Sequence, residues 1–316
     1  MIFLLKNFQR YLRAKLSFFY NKTEHLNPKI ENLMNTIHKM SEEIFLIKKL
    51  NRKETHKIFS KKVYSLIRSK KFLNFLQNSF IQQMFFIHNR FYLFYYLREM
   101  QKSKKWKLWQ KLIKETSVGN PIRYFLYPDS SGNKIFQIYH LKKYEEFSNI
   151  TLKKFDEVIE FGGGYGNMAA TFSKINSKIK FTIFDTYEVN LLQYYYLKRL
   201  NLKVNFNNFK SNSKNINLIN SMTILKSKIS KIKKNKKKLL IANWSLSETP
   251  LNFRKKMFYI FKEFDHQLIS FQKDFEKINN KKYFENIANY NLKKSREIKL
   301  IPIKKMQNHF YLFSKK

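Results

Sequence analysis

The residues best suited to chemistry form a glycine-rich turn and a carboxylate nineteen residues beyond it. Residues 160–166 read Glu-Phe-Gly-Gly-Gly-Tyr-Gly, and glycine allows a chain to turn tightly and a ligand to approach the backbone. Asp185 ends the next predicted strand, where a carboxylate can accept both ribose hydroxyls of a nucleoside lying across the strand ends. Glu160 suits a cationic group of the same ligand. The pattern predicts a nucleoside site.

The glycine spacing separates this turn from two other nucleotide-binding turns. It reads acid-x-G-x-G-x-G, with Gly162, Gly164 and Gly166, whereas the dinucleotide fingerprint G-x-G-x-x-G would need glycine where Asn167 stands. The G-K-[ST] of a P-loop is also missing from the sequence. The chain has no cysteine, which excludes disulfide scaffolds, cysteine-ligated zinc and iron–sulfur sites, thiol nucleophiles and cytosine C5 methylation through a cysteine adduct.

Strands alternate with helices around this turn, which predicts an α/β fold with a mostly parallel, doubly wound sheet. A closing antiparallel pair of strands brings the predicted sheet to seven strands. The strands are predicted over 157–161, 180–184, 202–206, 238–242, 267–271, 297–303 and 309–313, and the helices over 167–175, 189–200, 251–264 and 274–291.

The rest of the chain divides into two further segments. Residues 1–115 show helical spacing of apolar residues and almost no glycine or proline, which predicts an all-helical region. Residues 116–150 contain turn clusters around the short runs 122–127 and 134–139, followed by a helix over 141–147, and predict a connecting hairpin and helix. Residues 151–316 form the predicted nucleoside-binding domain. We expect the helical region to cover the open side of its pocket.

The turn at 160–166 resembles motif I of class I S-adenosylmethionine-dependent methyltransferases. The closing strand pair also looks like that fold's, in which the strand order would be 3-2-1-4-5-7-6 with an antiparallel last strand. The resemblance implies a Rossmann-like class I methyltransferase sheet. It also implies that the cationic sulfonium donor, S-adenosyl-L-methionine, is the cofactor.

Three more segments resemble one branch of that fold, the bacterial sugar O-methyltransferases. Residues 184–197 are similar to its D-x-P-E…Y-Y-L stretch, residues 243–250 to its S-x-S-E-x-P segment, and residues 118–121 to its G-N-P element. Tyr187 stands where that family has proline. The resemblance spans about residues 117–314 and implies methylation of a sugar hydroxyl in surface-polysaccharide or nucleotide-sugar metabolism.

The resemblance also implies roles for individual residues. Glu160, Gly162, Gly164, Gly166 and Asp185 would hold the donor. Asn243 would line the methionine or acceptor side, although a strand-end cap is an equally good interpretation of an asparagine there.

Methylation of a sugar hydroxyl benefits from a base that removes its proton. Glu248 is the first candidate, because it follows the fourth strand within the family-like segment. The other interpretation is a carboxylate favoured by the dipole of the next helix. Ser245, with Ser247, could orient the hydroxyl, and His309 and His140 are the second choices for the base. No carboxylate cluster has metal-ligand spacing, so no metal is predicted.

The charge of the chain has two interpretations. The formal net charge is +41, 53 of the 63 basic residues are Lys, and the excess is spread along the whole sequence. Such spreading is more typical of compositional drift than of a nucleic-acid interface, which concentrates charge and favours Arg. The run Lys226–Lys238 most simply predicts a solvated helix or loop. Weak contact with polyanions or a membrane surface follows from the charge in either case.

Two other functions stay open at this stage. A nucleic-acid methyltransferase would use the same donor site and would bind the nucleic acid through its basic surface. A non-catalytic interaction protein would keep the fold without the activity. Residues 243–246 read Asn-Trp-Ser-Leu rather than the Asn/Asp-Pro-Pro-Tyr/Phe of enzymes that methylate exocyclic base amines. A helix near the N-terminus could lie on an anionic membrane, although packing on its own domain is the favoured interpretation. We expect a cytoplasmic protein, or one peripheral at the inner membrane surface.

Overall fold

The computed structural model describes residues 17, 19–21, 26–47, 54–85, 90–207, 216–289 and 296–316. Most of the amphipathic N-terminal segment considered for membrane contact lies outside these residues. Within them, no helix combines the length and the apolar character that crossing a bilayer requires.

The chain divides into two compact units. The first contains Met1–Lys142, Gly164–Asn167 and Tyr187–Leu202, and the second contains Lys143–Gly163, Met168–Thr186 and Lys203–Lys316. These bounds differ from the three predicted segments, because the first unit extends past residue 115 and takes two pieces from the predicted nucleoside-binding domain.

The first unit is mainly helical, and every described residue of 1–115 that belongs to a regular element is in a helix or a 3₁₀ turn, as predicted. Its aromatic core includes Phe75, which packs edge-on against Tyr165, Tyr195 and Tyr196. A short antiparallel hairpin, β1 and β2, follows the helices, but it pairs residues 123–124 with 127–131 rather than the predicted runs 122–127 and 134–139. The elements are α1 (Pro28–Ile47), α2 (Glu54–Ile67), α3 (Ser79–Met84), α4 (Tyr92–Gln101), α5 (Trp106–Ile113), β1 (Arg123–Tyr124), β2 (Tyr127–Ser131) and α8 (Tyr187–Arg199).

The helix that follows the hairpin, α6 (Gly132–Ser148), corrects the sequence prediction. A short extended run was expected over 134–139 with a helix only from 141. The described side chains of the first turns are almost all buried, and a continuously buried run carries no periodicity that would separate helix from strand.

The second unit is built on an eight-stranded sheet in the order β11-β12-β8-β7-β3-β4-β6-β5. Every neighbouring pair is parallel except β11–β12 and β12–β8. The strands are β3 (Glu157–Phe161), β4 (Lys180–Phe184), β5 (Val204–Phe206), β6 (Ile216–Ile219), β7 (Lys238–Asn243), β8 (His266–Gln272), β11 (Glu297–Pro302) and β12 (His309–Lys315).

This sheet has the class I methyltransferase order with one strand added. When β6 is counted as the third strand, the order is 3-2-1-4-5-7-6 and β5 lies outside it at the edge. The prediction of seven strands was therefore wrong by one, because the sequence analysis missed the four-residue strand β6. The antiparallel last strand is confirmed, and the predicted bounds of β3, β4 and the helix α7 (Asn167–Ile175) match those observed.

A second correction concerns residues 274–291, which were predicted as one helix. They begin with a small hairpin, β9 (Asp274–Phe275) and β10 (Ile278–Asn279), and the helix α11 covers only Asn280–Ile287. The Asn279 side chain accepts a hydrogen bond from the Lys282 main-chain N–H at 2.8 Å, which caps the helix and sets its start.

One face of the sheet packs against α9 (Met222–Ser230), α10 (Leu251–Phe261) and α11. Ile159, Leu240 and Ile269 of the central strands belong to this core, with Leu225, Met257 and Phe284 of the helices. Because the central strands are fixed by this packing, the turns at their carboxyl ends start from a rigid base.

Candidate functional site

The polar residues singled out from the sequence of the second unit lie at one edge of its sheet. We call this the carboxyl edge, because β3, β4, β6, β7 and β8 end there. Ligands of open α/β sheets bind at this edge, outside the carboxyl ends of the strands.

The turn after β3 is fastened to the carboxylate that follows β4. Asp185 Oδ2 accepts a hydrogen bond from the Gly163 main-chain N–H at 3.0 Å, and Asp185 Oδ1 accepts one from the Thr186 N–H at 2.8 Å. Asp185 itself is held because its N–H donates to the Ile219 carbonyl of β6 at 2.9 Å. An ionised carboxylate has about four acceptor sites, so these two main-chain hydrogen bonds alone do not saturate Asp185.

Gly162 is required by both conformation and space. Its φ is +69°, and a Cβ atom on it would lie 2.2 Å from Cβ of Ser245. The Ser245 hydroxyl donates its hydrogen to the Phe161 carbonyl oxygen. Ser245 therefore packs under the turn, and the orienting role predicted for its hydroxyl stays a prediction.

Among the buried polar atoms of the carboxyl edge that have no hydrogen-bond partner among the described residues, two belong to residues predicted for the site. They are Oε2 of Glu160, a side chain that is 3% exposed, and Nδ2 of Asn243. Burial, and then the neighbouring charge of Asp185, raises the pKa of Glu160 well above its usual value. Buried polar groups are normally hydrogen-bonded, so an acceptor and a donor remain here for a ligand.

The remaining glycines of the turn belong to the first unit. Gly164 has a φ of +55°, and a Cβ on it would lie 3.4 Å from the ring of Phe85. The side-chain amide of Gln193 in α8 donates to the Gly164 carbonyl at 2.9 Å. Gly166 has a φ of +95° and packs against Leu197. Within this unit, the turn is thus held by α8 and faces an aromatic ring of the helical region.

Tyr165 and Asn167 in the same stretch are held by the start of α6. The Tyr165 hydroxyl accepts a hydrogen bond from Asn133 Nδ2 at 3.0 Å, and Asn167 Nδ2 donates to Gln137 Oε1 at 2.7 Å. Tyr165 is 2% exposed, and burial raises its pKa well above the usual value. The tyrosine is therefore a neutral anchor of the turn.

Glu248 lies on the short 3₁₀ turn after β7, in the second unit. Burial raises its pKa to about 7, although a hydrogen bond from Gln272 Nε2 to Glu248 Oε1, 3.4 Å long, lowers it. Gln272 ends β8 and is the register partner of His309 in β12. A carboxyl group with a pKa near neutrality can act as a general base.

A buried arginine supports the segment that carries Glu248. Arg254 is fully buried, and its guanidinium donates to the Ser247 carbonyl oxygen, to the Thr249 carbonyl at 2.7 Å and to Asn280 Oδ1 at 2.7 Å. The Ser247 hydroxyl is 2.6 Å from the Trp244 carbonyl oxygen and 2.9 Å from Gln272 Oε1, and can donate to either. These contacts fix the backbone on both sides of Glu248.

The two histidine candidates differ in position. His309 is half-buried at the carboxyl edge, its Nδ1–H donates to the Gln307 carbonyl at 2.7 Å, and its ring centroid is 6.2 Å from that of Trp244. His140, in the first unit, is fully buried against Phe136, and burial lowers its pKa to about 3. His309 therefore stays a second candidate for the base, whereas His140 is a neutral residue of the hydrophobic core.

The tyrosines considered for stacking on a sugar are mostly core. Tyr195 and Tyr196 are fully buried, with ring centroids 4.5 Å from Phe72 and 4.9 Å from Tyr165, respectively. Only Tyr194 is half-buried.

Three residues of the carboxyl edge were missed from the sequence. Asn220 follows β6, which was not predicted, and Gln272 and Arg254 act through partners distant in sequence. A polar residue directly after an apolar run was the available signal for Asn220 and Gln272. In the part of the chain that the structure describes, no three His, Asp or Glu side chains are grouped as a metal site would need.

Comparison with known proteins gives structural matches alone. No family model and no curated protein matches this sequence. A SAM-dependent methyltransferase from Aquifex aeolicus is 16% identical, over 55% of this chain and 88% of that one, with a TM-score of 0.38. The fibrillarin pre-rRNA processing protein of Methanococcus jannaschii is 11% identical over 52% and 68%, with a TM-score of 0.37. The mitomycin 7-O-methyltransferase is 10% identical over 71% and 66%, with a TM-score of 0.36.

Proposed function

We propose that this protein is an S-adenosyl-L-methionine-dependent O-methyltransferase whose acceptor is a sugar hydroxyl. The observation that carries the donor assignment is the glycine turn after β3, fastened to Asp185 after β4 in a sheet of class I methyltransferase order.

The residues of this edge fit such a donor. Asp185 can accept ribose hydroxyls, and the buried Oε2 of Glu160, which has no hydrogen-bond partner among the described residues, would gain negative charge beside a cationic ligand group that lowers its raised pKa. The Asn243 amide, whose Oδ1 already accepts from the Ser270 hydroxyl at 2.7 Å, keeps a buried N–H for an acceptor atom of the ligand. When bound, the donor supplies an activated methyl group, so the chain has to position the acceptor and manage its proton.

Glu248 is the residue we assign to that proton. A pKa of about 7 leaves a large fraction of the carboxylate ionised at neutral pH, while its conjugate acid is still weak enough to hold a proton. Arg254, Ser247 and Gln272 act as positioning residues, because they hold the turn and the carboxyl group in place. His309 is the alternative base.

The choice of a sugar rests on the resemblance of residues 184–197 and 243–250 to the sugar O-methyltransferases. A second candidate acceptor, RNA, is favoured by one observation, the net charge of +41. Both acceptors would use the same donor site, so one experiment can separate them.

The test begins with calorimetric titration of the full-length protein with S-adenosylhomocysteine, the donor product. Labelled donor is then incubated with the protein and with separate pools of nucleotide sugars, surface polysaccharide and RNA. We expect micromolar binding and label transfer only to a carbohydrate pool. Transfer to RNA alone would show that the acceptor is RNA and not a sugar. Tight binding of S-adenosylhomocysteine without any transfer would favour the non-catalytic role. Failure to bind would refute the whole proposal.

A further inference from the structure

The edge of the second unit's sheet opposite the carboxyl edge is strongly basic. We call it the amino edge, because the parallel strands begin there. Its exposed ammonium groups include those of Lys153, Lys178, Lys180, Lys236, Lys237 and Lys316. The acidic side chains of this edge that are not buried include Asp156, Glu263, Asp265 and Glu297, and Glu297 is paired with Lys315 and Lys299.

Hydrogen bonds join these strand starts into one continuous edge. The Lys178 N–H donates to Asn176 Oδ1 at 2.9 Å, and Asn176 Nδ2 donates to the Lys153 carbonyl at 3.1 Å. The Lys180 N–H donates to the Asp156 carbonyl at 3.0 Å. Asp156 is in turn bonded to the segment before β7, where its two carboxylate oxygens accept from Lys236 Nζ and from the Lys237 N–H, both at 2.9 Å.

The same continuity extends towards β8 and β12. The Lys238 N–H lies 3.4 Å from Asp265 Oδ2, and the Lys316 N–H donates to the Asp265 carbonyl at 2.9 Å. The lysines therefore line a single edge, although their sequence positions are up to 163 residues apart.

Composition alone does not explain this edge. The described hairpin at the carboxyl edge, residues 273–279, carries Lys273 and Lys277 but also Asp274 and Glu276, so its charges balance. The turn 303–308 at the same carboxyl edge carries exposed Lys304 and Lys305, so the two edges differ in local charge balance rather than by complete segregation of positive charge.

We propose that the amino edge is a docking surface for a lipid bilayer that contains anionic phospholipids. Basic residues near such a surface are attracted to it additively. A nucleic acid fits less well: single strands need exposed aromatic rings for stacking, and Phe155 and Phe264, which flank the edge, are buried. Bidentate recognition of phosphate needs free guanidinium groups, and Arg296 already donates to the main-chain oxygens of Phe264 and Lys262.

The geometry also sets the orientation of a docked molecule. A five-residue strand such as β3 spans roughly 17 Å at about 3.3 Å per residue. Docking through the amino edge therefore leaves the carboxyl edge directed away from the bilayer. This inference is independent of the acceptor and of methyl transfer itself.

The test measures co-sedimentation of the full-length protein with phosphatidylcholine vesicles and with vesicles that also contain phosphatidylserine. The variant pairs Lys233→Gln with Lys234→Gln, two exposed lysines of the amino-edge segment before β7, in which the Lys236 N–H donates to the Lys233 carbonyl at 3.1 Å. Its control pairs Lys273→Gln with Lys277→Gln, which remove equal charge from the carboxyl edge. Each lysine near an anionic surface strengthens binding about fivefold. We therefore expect the partition coefficient of the first variant onto anionic vesicles to fall roughly 25-fold, and that of the control to change less than about threefold. Circular dichroism and calorimetric titration with S-adenosylhomocysteine check that both variants fold.

Three outcomes would overturn the proposal. The first is equal binding to both kinds of vesicle, and the second is an equal loss in the two variants, which would mean that total charge rather than this edge is responsible. The third comes from a competition arm with single-stranded and double-stranded RNA at physiological salt. If RNA binds more tightly than the anionic vesicles and the Lys233/Lys234 variant loses that binding, the edge serves a nucleic acid.

Discussion

Two acidic side chains near opposite ends of β3 differ in the direction of their pKa shifts. Asp156 precedes β3 at the amino edge, and Glu160 lies near the end of the same strand. Burial tends to raise the pKa of Asp156, but the hydrogen bonds and charges of Lys236 and Lys237 outweigh it, so its pKa lies below the usual value. The pKa of Glu160 is raised by burial and then by the charge of Asp185.

Asp156 is neutralised by a lysine within the fold, whereas Glu160 is buried at the carboxyl edge with an oxygen that has no hydrogen-bond partner among the described residues. At the amino edge Asp156 and Asp265 pair with Lys236 and Lys316, whereas Glu157 at the start of β3 has a buried oxygen without a hydrogen-bond partner in the described part of the chain and a pKa raised by burial. The carboxyl edge buries Oε2 of Glu160 and Nδ2 of Asn243 without partners among the described residues, and burial raises the pKa of Glu248 to about 7. Strained or unsatisfied groups of this kind concentrate at functional sites.

The largest expected effect is on donor affinity, and it should distinguish Asp185 at the carboxyl edge from Asp156 at the amino edge. Each accepts a main-chain N–H from the turn of a neighbouring strand, Gly163 for Asp185 and Lys237 for Asp156. We expect Asp185→Ala to weaken donor binding roughly 1000-fold, because two hydrogen bonds to a charged acceptor, each worth about 1.5–3 kcal/mol, are lost. Isothermal titration calorimetry with S-adenosylhomocysteine measures this change.

Asp156→Ala is the matched control for that variant. It removes a comparable bond to the backbone, so it should lower the thermal midpoint while leaving donor affinity unchanged. If both variants bind the donor like the wild type, Asp185 has no role in the ribose site. If both lose affinity equally, the loss comes from general destabilisation and the two edges are not functionally distinct.

The second-largest expected effect is a loss of turnover on substitution of Glu248. Removal of a general base typically costs about 10²–10⁴-fold, and we expect Glu248→Gln to lose roughly 100-fold in kcat with little change in donor affinity. The kcat/KM of the wild type should rise with pH through about 7, since the base must be ionised. The Gln272 hydrogen bond lowers the pKa of Glu248, so Gln272→Leu should move this rise to higher pH.

Glu263→Gln is the control at the amino edge, where the carboxyl group is exposed. It should leave both kcat and the pH profile unchanged. A Glu248→Gln variant that keeps wild-type turnover would remove Glu248 as the base, and His309→Asn would then be the variant to measure.

The sequence predicted the positions of the glycine turn and Asp185 better than the surroundings of Glu248, for a physical reason. Residues 160–166 and Asp185 are fixed by local chemistry, because a glycine turn ends one strand and an acid ends the next. Gln272 reaches Glu248 only through the pairing of β7, β8 and β12. Such contacts depend on sheet order, which no local pattern encodes.

The errors in the predicted fold have similar causes. The strand β6 was missed because it is four residues long and follows the Asn- and Lys-rich stretch 207–215. The first turns of α6 were taken as extended because burial on almost every side removes the helical period. The division of the chain into its two units could not be predicted either. The turn at 164–167 and α8 belong with the helical region through packing, as in the contact between Phe85 and Tyr165.

The smallest expected effect lies beneath the amino edge, at His266, the first residue of β8. Burial, and then the charges of Lys237, Arg296 and Lys315, lower its pKa to about 4, although Asp265 opposes this change. Its Nδ1–H donates to the Tyr144 hydroxyl, 3.0 Å away, while that hydroxyl donates to the Ser314 carbonyl at 2.9 Å. The folded state therefore prefers the neutral ring.

The unfolded chain binds a proton at His266 with a pKa of about 6.5. The stabilisation by this histidine is thus complete above that pH and is lost as the pH falls through about 4. We expect the thermal midpoint of the wild type to fall between pH 7 and pH 4.5, and roughly 3–6 °C of that fall to disappear in His266→Asn, which keeps a donor near the position of Nδ1. Lys237→Gln should make the fall of the thermal midpoint between pH 7 and pH 4.5 smaller, because removing a positive charge raises the pKa of His266. An identical acid dependence in all three proteins would show that the lysines of the amino edge do not act on the groups buried below them.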